Sequence, residues 1–228
     1  MVTLPPARGE VQVWLEWIDD APTAVGMALL DDDERARAGR FRFERDRRRF
    51  VARRAFLRHV LAGYVGVAPR NLRYRTSSNG KPELAGTFGV AFSASHADGL
   101  AVVAVAIDGQ VGVDVERSRP MADSLDLARR LFSAWERARV EAAPTSMRSE
   151  AFLRIWTRKE AYVKFVGTGL SMPLDAFDVL DERVRLSRPD ATTPRLQALE
   201  LPNGYVGAVA LSGGTVTYRQ RTPIEMAS

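Results

Sequence analysis

Two stretches roughly a hundred residues apart share one cadence, and it restricts the possible folds more than any other feature of the chain. Leu100 to Ile107 is an unbroken apolar run rich in Val and Ala, followed by Asp108-Gly109 and then Val111 to Val115. Near the other end, Asn203-Gly204 leads into Tyr205 to Leu211, Gly213-Gly214 turns the chain, and Thr215 to Arg219 follows. A short apolar run bounded by turn residues reads as a strand buried on both faces. Asn-Gly, Asp-Gly and Gly-Gly are tight-turn dipeptides that open hairpins. Two such units predict an α+β chain built of two similar halves; a chance likeness between two hairpins is the other reading.

The rest of the chain fits around these strands. Residues 11 to 18 alternate Val11, Val13 and Leu15 with polar partners, as a strand does. Asp31 with Glu34 three residues on makes a capping box that opens a short helix. Phe50, Leu57, Leu61 and Tyr64 then recur at helical spacing, so this stripe should face the core and leave most neighbouring arginines outside. Ser77-Ser78-Asn79-Gly80 is a turn ahead of Lys81-Pro82. A helical region follows Val115, breaks at Ala143-Pro144, and ends at Gly167 and Gly169. The halves divide near Gly109, giving 1–108 and 109–228, with no Pro/Gly/Ser-rich linker between them.

Charge is unevenly spread. Arg35 to Arg58 holds eleven arginines and two acids, +9, while 22 basic and 26 acidic residues leave the remaining 204 positions at −4. A solvated basic helix, a nucleic-acid surface and a site for a phosphorylated small molecule all fit such a window. No nucleic-acid fold signature accompanies it. The longest apolar run, eight residues, is far below the ~20 a membrane span needs, so no membrane association is expected. The absence of cysteine and of a signal-peptide pattern in MVTLPPARGE points to the cytoplasm.

Three groups of side chains could carry chemistry. In Val111-Gly112-Val113-Asp114-Val115-Glu116, strand alternation turns the valines one way and Asp114 and Glu116 the other. Two carboxylates roughly 6 to 7 Å apart along a strand suit a hard divalent cation; a solvated acidic face is the plainer alternative. Trp156, Glu160 and Lys164 lie on one helical stripe. That spacing also describes a surface ion pair, but a tryptophan on the same stripe points to a cleft or partner. Lys81, Lys159 and Lys164 are the only lysines against thirty arginines, and Ser95-His96 precedes the buried strand without any G-x-S-x-G elbow.

Taken in order, Gly80-Lys81-Pro82, Phe92-x-x-Ser95-His96, Gly112-Val113-Asp114-Val115-Glu116 and Trp156-x-x-Lys159-Glu160-Ala161-x-x-Lys164 closely resemble the surfactin-type 4'-phosphopantetheinyl transferases. The likeness runs from about Asp31 to Asp178. It implies two α+β halves related by a pseudo-twofold axis, with the active site between them. It also implies transfer of the phosphopantetheine arm of coenzyme A to a serine of an apo acyl or peptidyl carrier protein, releasing adenosine 3',5'-bisphosphate.

By the same resemblance Asp114, Glu116 and Glu160 hold Mg2+, Lys164 adds charge at the phosphates, and Glu160 is the usual acceptor of the serine proton. Arg37, Arg49, Gly80, Lys81, Pro82, Ser95 and His96 bind coenzyme A, so 1–108 is the adenosine 3'-phosphate side. The half 109–228 then carries the metal carboxylates and, over Met121 to Arg139 with Leu131, Phe132 and Trp135, the carrier-docking surface. A cytoplasmic monomer of secondary-metabolite biosynthesis that binds no nucleic acid is the expectation. A basic nucleic-acid-binding protein and an inactive carrier-binding module are the alternatives. One departure stands out: the family's F-N-[IL]-S-H-[ST] is here Phe92-Ser93-Ala94-Ser95-His96-Ala97.

Overall fold

A computed structural model describes residues 7, 9–78, 80–86, 89–169, 172–186 and 193–220. Strand β1 (Glu10–Trp17) is followed by α1 (Thr23–Leu29), α2 (Asp32–Ala38) and α3 (Glu44–Val65). A 3-10 turn at Pro69–Asn71 leads to the hairpin β2 (Tyr74–Thr76) and β3 (Pro82–Leu84), then β4 (Val90–Ala97) and β5 (Leu100–Ile107). The same succession recurs. It comprises β6 (Val111–Arg117), α4 (Ser124–Leu131), α5 (Ala134–Glu141), α6 (Arg148–Val166), a 3-10 turn at Leu174–Ala176, the pair β7 (Phe177–Asp178) and β8 (Arg185–Leu186), β9 (Arg195–Ala198) and β10 (Tyr205–Leu211). A last strand, β11 (Thr215–Gln220), closes the described chain. The expected α+β class and the repeated order of elements are both present.

The two tight turns do not make hairpins, contrary to the sequence reading. Strand β5 lies between β1 and β4 in a sheet ordered β11-β1-β5-β4, and both of its edges are taken. After Asp108-Gly109 the chain therefore crosses to a second sheet, where β6 pairs with β10 in the order β6-β10-β9. Strand β10 in turn has no free edge, so after Gly213-Gly214 the chain crosses back and β11 pairs parallel with β1. The second crossing needs glycine at 214: its φ is +89°, and a Cβ there would fall 1.5 Å from the Gly9 carbonyl oxygen.

Three apolar layers follow. Val11, Val13, Val102, Ala104, Val111, Val113, Val209 and Leu211 fill the space between the two sheets. Helix α3 covers the outer face of the first sheet, with Phe56, Val60 and Leu61 against Phe92, Val103 and Val105. Helix α6 covers the second, with Phe152, Ile155, Tyr162 and Phe165 beside Leu196, Ala208 and Ala210. Because β5 has a layer on either face, its odd and even residues are both apolar. One arginine departs from the expected exterior position: Arg58 is fully buried.

Candidate active site

Strand alternation delivers the valines of β6 to the layer between the sheets and turns Asp114 and Glu116 toward α6. What brings α6 over them is Gly112. A Cβ at this position would lie 2.0 Å from the Ala161 carbonyl oxygen and 2.4 Å from the Phe165 nitrogen, so helix backbone rests directly on strand backbone. Glu160 and Lys164 thereby reach Asp114. Lys164 Nζ stands 2.7 Å from Asp114 Oδ1. Ser95 Oγ donates to the same oxygen at 2.8 Å and accepts from Lys164 Nζ at 3.2 Å.

Strand β4 supplies more than Ser95. The edge of β6 away from β10 faces β4 without ladder bonds, and two serine hydroxyls stand in for a partner strand. Ser93 Oγ accepts from the Val113 N–H at 3.0 Å, and Ser95 Oγ from the Val115 N–H at 3.3 Å. Position 93, where this chain departs from the family pattern, thus fastens the metal-side strand by its hydroxyl.

Asp114 is only 5% exposed, and its Oδ2 is buried without a hydrogen-bond partner. Burial and then the charge of Asp114 hold the carboxyls of Glu116 and Glu160 above their usual range. The Trp156 indole donates to Glu116 and partly offsets this. Among the described residues no three His, Asp or Glu side chains already converge as a closed ligand set. The observed state is three repelling carboxylates, one oxygen left orphaned, and a lysine ammonium at the most buried of them. Hard oxygen donors with uncompensated charge suit a divalent cation, and Asp114, Glu116 and Glu160 are the carboxylates that could hold one.

A groove runs from this cluster toward α3. One cavity of about 430 Å³, lined by Glu160, Lys164, Val163, Gly80, Lys81 and Pro82 among others, shares Arg54, Leu57, Pro82 and Ala94 with a second of about 490 Å³. The second holds Arg37, Phe50, Arg53 and His96. Arg37 and Arg53 each lie over the Phe50 ring at 5.3 Å. Arg53 Nη1 is 2.8 Å from His96 Nε2. Loss of water around the imidazole, then the charges of Arg53, Lys164 and Arg49, pull the His96 pKa down to about 4. At neutral pH its Nε2 therefore accepts from Arg53, which leaves the proton on Nδ1 as a donor. Desolvation and the charges of Arg37 and Arg54 also lower Arg53, so this end of the groove calls for an anion.

Two expected phosphate cations have other partners. Arg49 forms a two-bond pair with Asp19, at 2.6 and 2.8 Å. Lys81 Nζ donates to the carbonyls of Val111 and Phe165 at 3.0 and 3.2 Å and to Gln110 at 3.3 Å; burial brings its pKa to about 8. Its ammonium braces the C-terminus of α6 from the Gly80 to Pro82 turn, where Ser77 Oγ accepts from the Lys81 N–H at 3.0 Å. In the stretch from Met121 to Arg139, Phe132 is buried and stacked on Phe152 at 4.9 Å, Leu131 is half-buried, and Trp135 is 75% exposed.

Arg53, Arg54, Ser93 and Gly112 were not singled out from sequence. Only Gly112, inside G-V-D-V-E, carried a signal: a glycine within a strand marks close backbone approach.

Comparison with known proteins shows the family. A family model described as "4'-phosphopantetheinyl transferase superfamily" matches residues 110–210, and one described as "4'-phosphopantetheinyl transferase, N-terminal" matches 17–108. The chain is 37% identical over 214 residues to the 4'-phosphopantetheinyl transferase HetI of Nostoc sp., covering 90% of this chain and 88% of that one. To the 4'-phosphopantetheinyl transferase Sfp of Bacillus subtilis it is 29% identical, covering 80% and 82%. A crystal structure of Thermotoga maritima holo-[acyl-carrier-protein] synthase matches with a TM-score of 0.34 and 16% identity, over 46% of this chain and 63% of that one.

Proposed function

The chain belongs to the 4'-phosphopantetheinyl transferase superfamily and is an enzyme that transfers phosphopantetheine to carrier proteins; we propose that coenzyme A, the donor, lies along the groove from α3 to α6 and reacts beside Asp114. The observation that carries this reading is Asp114 itself. It is buried, Oδ1 is shared by Lys164 and Ser95, and Oδ2 is unpartnered.

The adenosine 3'-phosphate belongs at the Arg37, Arg53 and His96 end. Planar guanidiniums and the Nδ1–H of a neutral imidazole can all donate to its oxygens. The pyrophosphate then falls near Lys164, with Asp114, Glu116 and Glu160 holding Mg2+. When bound, the ion neutralises charge on the phosphate oxygens.

The serine hydroxyl of the carrier attacks the β-phosphorus, a new P–O bond forms, and the bond to the bridging oxygen breaks to release adenosine 3',5'-bisphosphate. Lys164 stabilises the negative charge that builds on those oxygens. Glu160 is the carboxylate placed to take the serine proton, directly or through a water.

The carrier docks on the 121–139 surface, which exposes Trp135, Arg130 and Arg139, and acidic carriers suit that charge. Monomeric action in the cytoplasm is part of the same reading: one chain builds both walls of the groove, and a cysteine-free sequence asks for no oxidising compartment.

The test is to incubate the protein with coenzyme A, Mg2+ and apo carrier domains of fatty-acid, polyketide and peptide type, then weigh the carriers. One phosphopantetheine should be gained, and in the Asp114→Ala variant transfer should fall at least ~100-fold with the fold intact. No mass gain on any carrier, or full activity in that variant, contradicts the reading.

A further inference from the structure

Neither of the two fully buried cations among the described residues touches the groove, yet each sits on a helix that forms one of its walls. Helix α3 ends at Gly66 and α6 at Gly167, both left-handed at φ +70° and +80°. Eight residues before the first glycine is Arg58, and eight before the second is Lys159; each is 0% exposed.

The surroundings of the two correspond in most parts, although Arg58 also bonds Asp31 and Glu34 also bonds Arg54. Arg58 Nε meets Glu34 Oε2 at 2.5 Å, and Lys159 Nζ meets Glu136 Oε2 at 2.7 Å. Glu34 and Glu136 are each the third residue of a capping box in the preceding helix, closed by Asp31 and Ser133. Arg58 also donates to the carbonyls of Pro69 and Leu72, at 2.7 and 3.2 Å. Lys159 donates to those of Leu174 and Phe177, both at 2.6 Å. Pro69 and Leu174 begin the two 3-10 turns, and Leu72 and Phe177 directly follow those turns. Each cation also lies over the aromatic that opens the next strand, Arg58 over Tyr74 at 5.2 Å and Lys159 over Phe177 at 4.2 Å.

A buried ion pair is a poor way to gain stability, because an apolar pair of similar volume commonly does as well or better. What it does supply is direction. A cation bound to one carboxylate and two carbonyls fixes the rotation of its helix about the axis, and a change in that rotation swings every side chain on the helix. Glu160 adjoins Lys159 and Lys164 lies beyond it, both facing the groove; Arg53, Arg54 and Leu57 precede Arg58 on the other wall.

Resting on the reading of the groove given above, we propose that Arg58–Glu34 and Lys159–Glu136 are duplicated positioning latches with divided tasks. The first aims the arginines that bind coenzyme A. The second aims Glu160 and Lys164 at Asp114.

The paired variant Lys159→Met/Glu136→Gln and the single variant Arg58→Met leave no buried charge without a partner, since Glu34 keeps its ion pair with Arg54. The Lys159 pair variant should lower kcat by about tenfold to a hundredfold, with the coenzyme A Kd from calorimetry within about threefold of wild type. Arg58→Met should do the reverse, raising Kd and KM for coenzyme A by about tenfold with kcat little changed. Activity that falls only with the folded fraction, or the same parameter moving in both variants, overturns the proposal. Should either variant fail to fold, Glu136→Gln alone decides: its single amide oxygen can keep the Val179 N–H bond at 2.8 Å, at the expense of the cap bond from Ser133. Wild-type kcat in that folded variant likewise overturns the proposal. An inactive wild type would instead sink the functional reading itself, and this inference with it.

Discussion

Glu160 shows how a single side chain can be costly to the fold and useful to the reaction. Burial and the neighbouring carboxylate of Asp114 raise its pKa above the ordinary 4.5. The folded state therefore binds the proton more tightly than the unfolded one, and stability falls as pH rises from about 4.5 through the raised value. Glu116 adds to this in the same direction. On this account alone metal-free protein is less stable at pH 8 than at pH 5, while His96, its pKa lowered to about 4, pulls the other way as pH rises through the ordinary imidazole range. Glu160→Gln should remove part of that difference and raise the melting temperature at pH 8 while transfer is lost. Mg2+ should raise the wild-type melting temperature at pH 8 more than that of the variant. Scanning calorimetry at the two pH values checks this, and a variant no more stable than wild type at pH 8 refutes it. The placement of Asp114, Glu116, Glu160 and Lys164 was legible in the sequence because strand and helix periods alone decide which way they point. The partners of Arg49 and Lys81 were not: Asp19 lies thirty positions from Arg49, and the carbonyls of Val111 and Phe165 take no part in any local pattern.

At the scale of elements, the site depends on how closely α6 lies on β6, and that separation is set by an absent side chain. Gly112→Ala would put a methyl group 2.0 Å from a helix carbonyl and 2.4 Å from a helix nitrogen, and both contacts are backbone with no rotamer to yield. The helix must move. Overpacking of this kind costs about 1–3 kcal/mol, and a displacement near 1 Å at reacting groups costs on the order of a hundredfold in rate. Gly112→Ala should therefore lose far more activity than its fall in melting temperature explains, which denaturation curves beside steady-state kinetics would show. Near-wild-type turnover in a folded variant would mean that the close approach is not what aims Glu160 and Lys164. The sequence reading found the strand, the helix and their inward faces, since apolar period carries all three. It erred on the turns. Asp108-Gly109 and Gly213-Gly214 have hairpin chemistry, but whether a turn closes a hairpin depends on a free strand edge, and the preceding strand takes one edge of β5 and of β10 while a strand distant in sequence, β1 or β6, takes the other.

Over the whole molecule, the same two crossings make the halves inseparable. Strand β11 follows the second half in sequence but pairs with β1 in the first sheet, and Val216 and Tyr218 pack onto the layer that both sheets share. Because that layer is the inner face of each sheet, neither 1–108 nor 109–228 covers its apolar surface alone, and β1 without β11 exposes a strand edge open to aggregation. A chain ending at Ser212 should therefore be destabilised throughout and not only near its new terminus. In hydrogen exchange, amides of β1 and β5 should lose protection together with those of β6 and β10. Separate expression of 1–108 should give unfolded or aggregated material, and mixing it with 109–228 during refolding should restore activity. A soluble, cooperatively melting 1–108 fragment would disprove this coupling. The arginine window also reads differently at this scale. Arg35 pairs with Asp32, Arg49 with Asp19, Arg54 with Glu34, and Arg58 with Glu34 and Asp31, so four acids outside the window answer part of the local +9. Arg37 and Arg53 line the groove, where an anionic ligand would meet them.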